Sequence, residues 1–155
     1  MSLFGGGGGI DPERQARIDR SLQSIMAGGL PLNAIDRLRE QAQRQNTPDH
    51  VFSSDLSPNE LMLTQECGFL PLGQVMGSSI YHIGHQPIRP GVSEELTTLT
   101  QALYQARELA MVRMEEEADA LGADGVVAVR LTLSVHAWGA NVIEFLAIGT
   151  AVKSE

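Results

Sequence analysis

The candidates in this sequence for holding a soft or borderline metal ion are Cys67, His82, His85 and His136. His82-Ile83-Gly84-His85 has the spacing that chelates from one face of a helix. It lies, however, at the end of a strand-like run, where residues three apart point to opposite faces. A chelate there requires Gly84 to bend the chain. Without that bend, Tyr81 and His82 are ordinary strand-end residues meeting solvent or an interface. Cys67, beside Gly68, fits a small buried hydrophobe as well as a ligand. No compact Cys/His cluster emerges.

Two further constellations carry charge. If residues 127–135 and 142–152 form a hairpin with a three-residue turn, His136 lies opposite Glu144, Arg130 opposite Thr150 and Val135 opposite Phe145. His136 and Glu144 would then make a charge-assisted pair or the beginning of an acid–base site. The bland reading is a structural pair covered by a neighbouring subunit. The run Glu115-Glu116-Glu117 with Asp119 is the densest charge. Its spacing puts Glu115 and Asp119 on one helix face and Arg113 within reach of Glu117. Such a run is ordinarily a solvated face, and carboxylates repeated around a symmetry axis would favour hard cations over heavy metals. No serine or cysteine sits beside a histidine with a third orienting group, so a nucleophilic triad is unsupported and the chain is not expected to be an enzyme.

The elements that must position these residues centre on 93–130. Leu96, Leu99, Leu103, Ala106, Ala110, Met114, Ala118 and Leu121 recur every three or four residues, the stripe of a helix over 93–121 about 43 Å long. Ser93 is its expected N-cap, and Gly122 suits the left-handed position after its last turn. The period then changes to two. Val127, Val129, Leu131, Leu133 and Val135 are expected on the buried face of a strand, which a turn near Trp138–Asn141 joins to a second strand over 141–152. Upstream, a strand centred on 74–83 contains glycines that predict a bulge or a close backbone approach. Residues 1–10 read as a flexible Gly-rich tail, 11–45 as a helical hairpin broken at Gly28-Gly29, 46–56 as a linker, and 57–155 as the main domain. The hairpin is too small to fold alone. It is expected either to dock on the main domain or a neighbouring subunit, or to recognise another protein.

The motifs Leu121-Gly122-Ala123-Asp124, Val126-Val127 and Gly149-Thr150-Ala151-Val152 occur in order, preceded by Gly68, Gly73, Val75 and Gly77. Over about 57–153 they resemble the YbjQ-like family, catalogued as heavy-metal-binding with an undefined biochemical role. The resemblance implies an α+β fold, a dodecin-like β-α-β-β unit whose three-stranded antiparallel sheet packs on one long helix. It also implies assembly as a ring-shaped homopentamer. A metal, if bound, would fall to His82, His85, Cys67 or His136.

Composition bounds the rest. Of the 155 residues 43% are apolar but only 5% aromatic, so the core is aliphatic. A net charge of −8 argues against sequence-independent binding to nucleic acid or to anionic membrane surfaces. A single cysteine excludes an internal disulfide, and the start lacks the basic and apolar regions of a signal peptide, so a cytoplasmic location is expected. The expectation is a non-enzymatic, self-associating assembly or binding module, with the hairpin at 11–45 available to a protein partner. The alternative is a binder of a divalent or heavy metal ion, or of a small ligand, with sites at subunit junctions.

Overall fold

A computed structural model describes residues 11–45, 47, 51–82, 96–136 and 142–155. Three helices precede the sheet: α1 (Pro12–Met26), α2 (Leu32–Arg44) and α3 (Pro58–Glu66). Strand β1 (Phe69–His82), helix α4 (Thr97–Ala120), β2 (Gly125–His136) and β3 (Val142–Ser154) follow, so the fold is α+β. The three strands form one antiparallel sheet in the order β1-β3-β2, with β3 central.

Local chemistry explains most boundaries. Asp11 caps α1 by accepting the Glu13 N–H, and Ser57 and Glu60 close a reciprocal capping box on α3. Segment 58–66 is therefore a helix and not a strand lead-in. Gly122 adopts φ +74°, and the N–H groups of Gly122 and Ala123 bond the carbonyls of Asp119 and Ala118, a left-handed stop that only a residue without Cβ makes at low cost. Helix α4 begins at Thr97 and not at the expected 93, with Leu96 as an N-cap that makes no side-chain bond; the expected cap Ser93 lies outside the described residues.

The apolar stripe of α4 is buried as its spacing requires, with Ala106, Ala110, Met114, Ala118 and Leu121 in the core beside Leu72, Val75, Phe145, Ala147 and Ala151. The contact is closest at Gly77 of β1. A Cβ there would fall on the carbonyl oxygen of Ala110 and 2.5 Å from the Met114 nitrogen. Helix backbone thus rests on strand backbone, and α4 sits over β1 and β3 while barely touching β2.

Two expectations for the hairpin need correction. First, β2 is not straight. Its pairing shifts between Val127 and Arg130, where Ala128 takes φ +53°. This bulge turns Val127 to the Thr150 face and leaves Val126, opposite Ala151, packed against the core. Gly149 makes room for it, since a Cβ there would lie 2.5 Å from Val126 Cγ1. Second, the apolar side chains beyond the bulge do face the helix side, but α4 is too far toward β1 to cover them. Val129, Leu131, Leu133 and Val135 are 41%, 42%, 51% and 69% exposed.

The N-terminal hairpin lies on the opposite flank of α4. Leu38 of α2 is fully buried, Leu30 nearly so, and α2 contacts α4. Helix α1, by contrast, has no buried residue and is held to α2 through Arg17–Asp36, the bond from Ser24 Oγ to the Leu30 carbonyl and the Leu32 N–H on Ser21 Oγ.

A pair of glycine substitutions tests the seating of α4. Gly77→Ala is expected to cost about 3 kcal/mol or more, because neither backbone can move aside. Gly125→Ala meets nothing within 4 Å and should change stability by less than about 0.5 kcal/mol. Urea denaturation midpoints of the two variants check the contrast.

Candidate functional site

The proposed metal ligands are spread along the sheet. Cys67 caps the C-terminus of α3 and is exposed, not the buried thiol its neighbours suggested. It precedes β1, whereas His82 ends it, so the two stand about 40 Å apart along the strand. His82 is exposed. His85 lies outside the described residues. His136 closes β2 and registers opposite Val142, the same residue that His82 faces from β1. His82, Val142 and His136 therefore occupy one cross-strand row on the face away from α4, with about 10 Å between the outer Cα atoms. Among the described residues no group of three or more His, Cys, Asp or Glu side chains is arranged to hold a metal ion.

The acid–base pairing expected of His136 and Glu144 is not in register. Glu144 stands opposite Ser134 and Ile80, and Ser78 Oγ donates to its carboxylate at 2.8 Å. Arg130 faces Ile148, Val135 faces Ile143 and Leu133 faces Phe145. Relative to the three-residue turn, the ladder has slipped by two. Such a slip keeps every side chain on its face, so alternation alone does not detect it. The Arg130 guanidinium instead reaches Asp55 at 3.0 Å, while Asp55 N–H donates to the buried Thr150 hydroxyl.

The acidic run on α4 is only partly a solvated face. Glu115 and Asp119 are exposed, but Glu117 is 4% exposed and points at β1. Its carboxylate accepts the Met76 N–H at 2.9 Å and an Arg37 N–H from α2 at 2.9 Å. Burial raises its pKa above the ordinary glutamate value, against the opposing pull of the Met76 N–H and of Arg37. The expected Arg113–Glu117 pair is absent. Arg113 donates to the carbonyls of Ser78 and Ile25, tying α4 to β1 and to the end of α1. Glu117 was hidden among its neighbours in sequence. The available signal was its place beside Ala110, Met114 and Ala118 on the buried arc of the helix.

The other side of α4 is an open groove of about 470 Å³. Met111, Met114, Ala118, Val126 and Val129 form its floor, and Glu115, Asp119 and Asp124 edge it. Asp124 belongs to the helix-to-strand turn. Its backbone N–H bonds the Val152 carbonyl, and its carboxylate accepts both the N–H and the hydroxyl of Ser154, which hold its pKa below the usual carboxylate range. A second, separate cavity lies nearer the N-terminal end of the helix, lined by Leu103, Tyr104, Arg107 and Phe145.

Replacing Glu117 checks its role as the clasp between α4, β1 and α2. Glu117→Ala strands the Met76 N–H and should cost about 1–3 kcal/mol, whereas Glu117→Gln keeps an acceptor and should cost less. The raised pKa means that the folded state holds this proton more tightly than the unfolded chain. The wild type should therefore gain stability relative to Glu117→Gln as pH falls from 7 toward the ordinary glutamate pKa, and lose it as pH rises through the elevated one. Melting temperatures of both proteins across that range give the comparison.

"Encapsulin nanocompartment protein Rv1762c" of Mycobacterium tuberculosis is 47% identical over 112 residues, 72% of this chain and 43% of that protein. The chain thus spans less than half the length of that relative. A UPF0145 protein of Methanosarcina acetivorans is 45% identical over 87 residues, 53% of this chain and 80% of its own. A UPF0145 protein of Thermus thermophilus is 42% identical over 89 residues, covering 54% and 76% respectively. The family model described as "Putative heavy-metal-binding" matches residues 63–155, the stretch from α3 through the whole of the sheet, so the chain belongs to the YbjQ family.

Proposed function

We propose that this chain is a non-enzymatic assembly module that closes with copies of itself into a ring, a homopentamer, and works in the setting for which its mycobacterial relative is named, an encapsulin nanocompartment. One observation carries the reading: β2 is an edge strand whose inner apolar row, Val129, Leu131, Leu133 and Val135, is left uncovered by its own helix. Covering such half-exposed side chains is worth on the order of 1 kcal/mol each, and closure also removes an open sheet edge. The link to a nanocompartment is supported by the length of the match. The family model already reaches the C-terminus at residue 155, so 112 aligned residues extend N-terminal of residue 63, beyond the family stretch.

A metal-binding reading is favoured only by the row His82–Val142–His136, which offers two imidazole positions at one end of the sheet for a site completed at a junction between copies.

Size-exclusion chromatography with light scattering on the full chain should give a multiple of 16.7 kDa. The double variant Leu131→Asp with Leu133→Asp should shift it to monomer; a wild-type monomer at micromolar concentration would refute assembly. Zinc titration by calorimetry tests the metal reading: His82→Ala with His136→Ala should weaken binding at least tenfold, and unchanged affinity would remove those residues from any site.

A further inference from the structure

The surface chemistry identifies what covers the open groove. We infer that the groove between α4 and β2 receives helix α1 of a second copy, so that neighbouring protomers are joined by an exchanged N-terminal helix. The inference rests on the reading that the chain self-assembles, and adds which parts meet.

Helix α1, like α3, is poorly accommodated. It has no buried residue, yet Arg14, Ile18, Leu22 and Met26 recur every four residues and form one row on its surface. Ile18, Leu22 and Met26 are 38%, 52% and 88% exposed. The bonds to α2 come from an adjoining side, made by Arg17, Ser21 and Ser24, and Ile18 and Leu22 border the cleft that Asn33 of α2 also lines. A helix docked through small polar residues, with its apolar row turned outward, is in place for one contact and available for another.

The groove has the matching features. Its accessible apolar lining is Met111, Val126 and Val129, above the buried Met114 and Ala118, and a methionine adapts to an inserted side chain. Its acidic edge, Glu115, Asp119 and Asp124, lies toward the C-terminal end of α4, and the separate cavity at Leu103 and Phe145 lies toward the other. This polarity fixes the direction of the guest. Arg14 belongs beside Asp119, and Met26 near Leu103, Leu133 and Phe145, with α1 antiparallel to α4. From Arg14 to Met26 a helix advances about 18 Å, and Asp119 to Leu103 on α4 offers about 24 Å.

Charge favours the same pairing. Six of the eleven Lys and Arg residues (Arg14, Arg17, Arg20, Arg37, Arg39 and Arg44) lie within 11–45, against five acids there. The remainder of the chain holds the other five basic residues against fourteen acids. A slightly basic hairpin on a strongly acidic body is complementary to another copy of that body. The chain's own α1 sits on the far flank of α4, where Arg113 donates to the Ile25 carbonyl and Leu109 approaches Gly28, so it does not reach its own groove.

Cysteine cross-linking in the full chain tests this. With Cys67→Ser as background, Leu22→Cys combined with Leu131→Cys should give, on mild oxidation, a ladder of covalent oligomers beyond the dimer. Each single-cysteine variant should give no ladder. Arg14→Glu should weaken association at least tenfold, and adding Asp119→Arg should restore it toward wild type. Light scattering on the wild type separates the two levels of the argument. Oligomers with the ladder and the charge-swap rescue support the exchanged helix. Oligomers with no ladder and no effect of Arg14→Glu overturn it while leaving self-assembly standing. A monomeric wild type overturns both.

Discussion

At Gly77 the backbone of α4 rests on the backbone of β1, and this approach decides how the rest of the protomer is covered. A helix that meets a sheet through ordinary side chains can centre itself over three strands. Here the absence of a Cβ draws α4 down against one edge strand, above Val75 and the small residues Ala147 and Ala151. The Glu117 carboxylate then takes the Met76 N–H, one residue from Gly77 in β1, so the same contact is fastened by a charge-assisted bond. The outer strand β2 falls outside the helix's footprint. The half-exposed apolar row of β2 follows from the place where the helix and sheet backbones touch.

The two flanks of α4 are therefore unequal. On the β1 side the chain covers itself: Leu38 fills the angle between α2 and the sheet, Arg37 partners Glu117, and Arg113 reaches both Ser78 and Ile25. On the β2 side Met111 is half-buried, and the Val129–Val135 row and the acids Glu115 and Asp119 are exposed. One hairpin cannot serve both flanks at once.

The residues by which the family is recognised have structural duties. Gly122 ends the helix, Asp124 anchors Ser154 and the end of β3, Gly149 clears the bulge in β2, and Thr150 accepts the Asp55 N–H while buried. None of these is a soft-metal ligand, and Cys67 and His82 stand at opposite ends of β1. The motifs account for a fold, and the family's metal label has to be judged on residues outside them.

Helix α4, its glycine stop, the strand pair and the hairpin at the N-terminus were legible because each is written in periodicity or in a residue that only one backbone conformation suits. The bulge at Ala128 was not legible, since alanine gives no sign of a left-handed position and the space that admits it is supplied by Gly149 on another strand. The slip that separates His136 from Glu144 was invisible for a related reason: registers differing by two bury the same residues. Glu117 was missed because its neighbours Glu115 and Glu116 suggested water on all sides. For the bulge and for Glu117 the deciding contact lies between segments far apart in the chain, where local pattern carries no information. The same reasoning applies to the candidate site. Periodicity put Val129, Leu131, Leu133 and Val135 on one face and predicted it buried, and the structure leaves that face half-exposed. The seating of α4 at Gly77 gives the physical reason, because a helix held there does not also reach the far side of β2.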